Sequence, residues 1–147
     1  MLRGFATISL WADDLEAARD WYAELLGVPP YFSAPGPGGR AGYYEFRAGD
    51  YEHELGLIDA RFRPGGADGG RPGGAVVYWH VDDLDAAVER LLAMGAREHE
   101  KITERGAGTG FATASVVDPF GNILGVMYNQ HFVDMVSQRV GLRETET

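Results

Sequence analysis

The sequence predicts an α+β protein made of two tandem β-α-β-β-β modules, and three observations carry that expectation. The first is a repeat. Trp11-Ala12-Asp13-Asp14-Leu15-Glu16-Ala17-Ala18 returns as His80-Val81-Asp82-Asp83-Leu84-Asp85-Ala86-Ala87, and Leu55-Gly56-Leu57-Ile58 returns as Leu124-Gly125-Val126-Met127, both 69 positions on. One spacing matched at both ends of a segment marks a duplicated unit. The second is periodicity, which changes from strand-like to helix-like and back within each copy. The third is a stretch rich in glycine and proline, Arg61 to Gly74, that separates the copies as a flexible linker. The expected layout is one domain over 1–147. Module 1 covers about 1–60, the linker 61–74, module 2 about 75–130, and a C-terminal tail 131–147.

Each module opens with a strand. Ala6, Ile8 and Leu10 alternate with Thr7 and Ser9, and Ala75 to His80 is apolar at nearly every position. A helix follows in each copy. Asp13 with Glu16, and Asp82 with Asp85, have the spacing of N-cap and N3 acids, whose carboxylates meet free backbone N–H groups. Leu15, Ala18, Tyr22 and Leu25 form one apolar stripe, and Leu84, Ala87, Leu91 and Met94 form another. Gly27 and Gly95 sit where a left-handed residue ends a helix. Strands are then expected near Tyr31, at Tyr43 to Ala48 and at Glu54 to Ile58. In the second copy they fall at Arg97 to Lys101, Phe111 to Val117 and Asn122 to Tyr128. His131 to Val140 is expected to form a short terminal helix.

Composition narrows the function. The formal charge is −9, which opposes nucleic acid because phosphate binding needs a basic face. No apolar run approaches the roughly 18 residues of a membrane span. The chain has no cysteine, so disulfides and thiolate metal sites are excluded. A cytoplasmic location is the expectation, with no signal-peptide layout at the N-terminus. His53, His80, His99 and His131 show no H-x-x-x-H or H-E-x-x-H spacing. The glycine-rich stretches do not match a phosphate-binding loop.

The residues Ala12-Asp13-Asp14-Leu15 through Trp21-Tyr22 and Leu26-Gly27, then Val81-Asp82-Asp83-Leu84, resemble the vicinal oxygen chelate superfamily. So does Val117-Asp118-Pro119-Phe120-Gly121-Asn122, which is similar to its D-P-x-G-N turn. That superfamily includes glyoxalase I, extradiol dioxygenases and bleomycin-resistance proteins. The resemblance covers about residues 4–130. It implies curved mixed sheets forming a cup, helices on the outer face, and a homodimer. It also implies metal-ligand positions at Thr7, Gly56, Val76 and Gly125. None of these four offers an imidazole or a carboxylate, so the expectation is no metal and no cofactor.

Strand parity then divides core from site. Ala6, Ile8, Leu10, Ala75, Val77 and Trp79 should face the helices. Phe5, Thr7, Ser9, Trp11, Glu54, Gly56 and Ile58 should share the other face, as should Val76, Tyr78, His80, Ile123, Gly125 and Met127. Tyr44 is counted among the ligand-binding candidates, although Tyr43 to Phe46 leaves its face open. Aromatic walls, few polar groups and bare glycines suit an aromatic or apolar small molecule. The same rings could instead fill the space as a second core. The expected function is metal-independent small-molecule binding of the bleomycin-resistance type. The alternative is a glyoxalase- or dioxygenase-like enzyme, acting as a lyase, isomerase or oxygenase. It would use a non-standard metal site or His80 and Glu54 as acid and base. A partner-binding module without a ligand is a third possibility.

Overall fold

A computed structural model describes residues 6–63 and 75–145, with the side chains of 141–145 excepted. Phe5 and most of the expected linker lie outside the described residues. The chain forms two compact units. One is Met1–Arg71 together with Phe120–Asn122, and the other is Pro72–Pro119 with Ile123–Thr147. Each holds one four-stranded mixed sheet, and the two tandem modules are those the repeat predicts.

The first unit contains β1 (Thr7–Ala12), α1 (Leu15–Leu26), β2 (Phe32–Pro35), β3 (Ala41–Ala48) and β4 (His53–Asp59). The sheet order is β1-β4-β3-β2, with β1 parallel to β4 and the other pairs antiparallel. The helix α1 packs on one face. Leu15, Ala18 and Tyr22 of its predicted stripe are buried there, against Tyr44, Phe46, Leu55 and Leu57. Phe46 is fully enclosed, and truncating such a ring costs about 3–5 kcal/mol. Ile8 and Leu10 are only half-buried, because β1 is an edge strand. The core therefore sits under β3 and β4 rather than under the first strand.

The second unit repeats the plan with β5 (Tyr78–His80), α2 (Leu84–Ala93), β6 (Arg97–Glu104), β7 (Ala112–Val117), β8 (Ile123–Tyr128) and α3 (Gln130–Thr145). Its order is β5-β8-β7-β6, with β5 parallel to β8. The ladder preserves the 69-residue offset. Ser9 pairs with Gly56 as Tyr78 pairs with Gly125, and Trp11 pairs with Ile58 as His80 pairs with Met127. The expected strand from Ala75 shrinks to three residues, so Val76 lies outside the paired segment. The terminal helix is longer than expected, running to Thr145. None of the described helices is long and apolar enough to cross a membrane.

The helix starts differ from the sequence reading by one residue. Asp14 and Asp83, not Asp13 and Asp82, are the N-caps; each accepts from the backbone N–H three residues on, Ala17 and Ala86, at 3.0 Å. Gly27 closes α1 with φ of 72°, a conformation that needs glycine. Replacing Asp14 or Asp83 by Ala should cost about 1 kcal/mol each in urea unfolding. Asp13→Ala and Asp82→Ala should cost markedly less.

Candidate functional site

In the first unit, pleating assigns every strand residue to the α1 face or to the far face. Register lines the far face in three rows. Thr7, Glu54 and Arg47 form one; Ser9, Gly56, Glu45 and Phe32 form the next; Trp11, Ile58, Tyr43 and Ala34 form the third. Thr7, Ser9, Trp11, Glu54 and Gly56 thus share one surface. Tyr44 does not join them. It is 8% exposed on the α1 side, where its hydroxyl donates to Glu16 at 2.8 Å and accepts from Arg19 at 3.2 Å. Burial, then the Glu16 hydrogen bond, pushes the Tyr44 phenol up.

Tyr43 takes the place expected of Tyr44. A Cβ built on Gly56 would fall 2.7 Å from the Tyr43 hydroxyl and 2.8 Å from a ring carbon. The glycine is bare because a phenol ring lies on it, not because the space above it is vacant. The ring is held from both sides. Its hydroxyl donates to Glu45, which also accepts from the Tyr31 hydroxyl, and the ring meets Phe32 in a T-shaped contact at 6.3 Å between centroids. Arg47 lies 4.5 Å over the Tyr31 ring and 3.6 Å from Glu54. Burial, reinforced by Glu45, pushes the Tyr43 phenol up to about 12.

At the far end of β1, Trp11 is fixed by its backbone. Asn122, itself buried, accepts from the Trp11 N–H at 3.2 Å and donates to the Trp11 carbonyl at 2.9 Å. The Arg63 guanidinium lies 5.7 Å from the centre of the indole, whose buried Nε1 has no hydrogen-bond partner among the described residues. Asp59 is engaged by Arg61, whose backbone and side-chain N–H groups donate to it at 3.0 and 2.9 Å and hold its carboxyl below the usual range.

In the second unit, register puts Tyr78, His80, Ile123, Gly125 and Met127 on one face with Thr113 and Ser115. Gly125 is covered as Gly56 is. Its Cβ would meet the Tyr78 ring at 2.6 Å, and also the Val77 carbonyl at 2.8 Å. The second ring comes from a different strand: Tyr78 is the repeat of Ser9, whereas Tyr43 lies on β3. His80 accepts from the Asn129 backbone N–H on Nδ1 at 3.1 Å, so Nε2 carries the proton and donates to Asp82 at 3.3 Å. Phe132 stacks on the imidazole at 4.9 Å. Both ring nitrogens are engaged, so service as a base requires releasing one of them. Glu54, the other acid–base candidate, faces Arg47.

Glyoxalase-type metal positions do not fit a metal here. Thr7, Gly56, Val76 and Gly125 supply no imidazole or carboxylate, and tyrosine rings occupy the volume above both glycines. Among the described residues no three His, Cys, Asp or Glu side chains converge. Tyr43, Glu45, Tyr31 and Arg63 were missed by the sequence reading. Glu45 and Arg47, polar at alternate positions, mark the far face of β3 and could have placed Tyr43 beside them.

The two glycines should respond differently to a methyl group. Gly125→Ala should cost about 1–3 kcal/mol and resist rescue by Tyr78→Ala, because a backbone oxygen also blocks the Cβ. Gly56→Ala should be largely rescued by Tyr43→Ala, as a double-mutant cycle in urea would show. The phenol makes a second prediction. A tyrosine with a raised folded-state pKa holds its proton longer in the folded chain, so its contribution is intact below pH 10 and is lost as pH rises toward about 12. Tyr43→Phe should flatten that alkaline loss of stability, measured by melting temperature against pH.

The sequence model of the Glyoxalase/Bleomycin resistance protein/Dioxygenase superfamily matches residues 4–126. A glyoxalase-related enzyme from Fulvimarina pelagi is similar with a TM-score of 0.66 and 24% identity, over 88% of this chain and 90% of that one. An antibiotic-binding protein, TnmS3 from a Streptomyces species, gives 0.63 and 24%, over 86% and 96%. The lactoylglutathione lyase of Agrobacterium tumefaciens gives 0.59 and 21%, over 88% and 96%. At these identities the likeness establishes the fold alone. No functionally curated protein matches the sequence. With more than half of its length matched, the chain belongs to the Glyoxalase/Bleomycin resistance protein/Dioxygenase superfamily.

Proposed function

We propose that this chain is a metal-independent binding protein for an aromatic or apolar small molecule. The observation that carries the reading is the replacement of metal-ligating side chains by tyrosine rings, Tyr43 over Gly56 and Tyr78 over Gly125. A position that would hold a carboxylate in a metal enzyme is covered by an aromatic ring instead. On the first sheet the platform is Tyr43 with Trp11 and the half-exposed Phe32, edged by Thr7, Ser9 and Glu54. On the second sheet Tyr78 and Met127 offer a comparable surface. Aromatic walls with a few fixed polar groups are the usual make-up of a small-molecule site, and planar ligands gain from offset stacking. The antibiotic-binding character of one similar structure supports the reading, since the fold accommodates that role elsewhere.

The test is a panel of aromatic natural products added to protein dialysed against a chelator, read by thermal unfolding. A ligand at about a hundred times its Kd adds about 2.7 kcal/mol and should raise the Tm by roughly 5–10 °C. The shift should be the same with and without added Zn, Ni, Mn or Fe. Stabilisation that appears only with one of these metals would contradict the proposal, as would a panel with no ligand at all.

A further inference from the structure

Trp11 carries an unusual combination of order and incompleteness. Its backbone is clamped through both its N–H and its carbonyl by buried Asn122, and its register on β1 opposite Ile58 is fixed. Yet among the described residues its buried indole N–H has no acceptor. An unsatisfied buried donor is costly, and folded proteins retain few of them. Beside it lies a second donor. The Arg63 guanidinium rests over the indole, and among the described residues it has no ion-pair or hydrogen-bond partner. The nearest acid in sequence, Asp59, is taken by Arg61 at 2.9 Å. Among the described residues, two donors, one of them cationic, therefore stand without an acceptor at the edge of an aromatic platform.

We infer that Trp11 Nε1 and Arg63 form a seat for an oxyanion, and that the aromatic ligand carries a carboxylate. The inference rests on the proposed small-molecule function and names its ligand class. The ligand ring lies along Tyr43 and Ile58, in the same row of the sheet as Trp11. Its carboxylate accepts from Nε1 in the plane of the indole and pairs with the Arg63 guanidinium above the ring. A charge-assisted hydrogen bond to a preset donor and an ion pair add to the stacking of the ligand ring. The net charge of −9 does not forbid this ligand, because distant acids are screened beyond about 8 Å at physiological salt.

Calorimetric titration with 2-naphthoate and with its neutral counterpart, 2-naphthalenemethanol, tests the seat in the intact chain. Naphthoate should bind more tightly. Trp11→Phe keeps an aromatic ring without the N–H, and Arg63→Gln removes the charge. Each should weaken naphthoate roughly tenfold while changing naphthalenemethanol little. The indole N–H resonance absent from the Trp11→Phe spectrum should move downfield when naphthoate is added. If Trp11→Phe fails to fold, Arg63→Gln and the wild-type resonance carry the test. Equal binding of the two probes, with naphthoate affinity unchanged in the variants, would overturn the oxyanion seat and leave aromatic binding intact. Failure of both probes to bind would count against both readings.

Discussion

A tyrosine ring pressed onto a strand glycine is the contact on which both sheets' far faces are organised. Gly56 and Gly125 occupy equivalent ladder positions, and in each case a side chain at the glycine would collide with the ring. A strand glycine loses packing and gains backbone entropy in the unfolded chain, so it weakens a sheet unless something lies over it. Here the phenol supplies the missing contact. The glycine in turn leaves room for the ring's hydroxyl end, which reaches Glu45 in the first unit. The two features are mutually required. Restoring a carboxylate at Gly56 would expel Tyr43 and leave Glu45 with one phenol instead of two.

The two adjacent tyrosines of β3 show how pleating divides labour. Tyr43 and Tyr44 differ by one position and end on opposite faces. Tyr44 enters the α1 interface and ties Glu16 and Arg19 to the sheet, while Tyr43 lies on the opposite face and donates to Glu45. Glu16 explains why the first-turn acids did not form a capping box. The cap belongs to Asp14, which leaves Glu16 one position early and turned toward Tyr44. Structural and candidate binding roles are thus separated by backbone geometry, not by residue type.

Much of this was legible from residue pattern. The 69-residue offset anticipated the paired ladders Ser9–Gly56 and Tyr78–Gly125, and parity placed Thr7, Ser9, Trp11 and Glu54 on one face. What failed has physical causes. The cap register slipped by one because Asp13-Asp14 and Asp82-Asp83 offer two acids at each helix start, and only backbone geometry selects between them. A glycine reads as empty space in a sequence, which is blind to a ring arriving from another strand. Arg63 was invisible as a donor because its partner, Trp11, lies on a strand fifty-two positions earlier.

The proposed function follows from this arrangement: where a metal enzyme of the superfamily would present ligating side chains, this chain presents rings. The measurement that reaches that claim most directly is proton NMR of the two glycines. Rings lying over Gly56 and Gly125 place their α-protons within range of the Tyr43 and Tyr78 aromatic protons and inside the ring-current field. The account predicts cross-relaxation between each glycine and its tyrosine, with α-proton shifts displaced from ordinary strand values. Glycine α-protons at ordinary shifts, with no cross-relaxation to tyrosine, would contradict it.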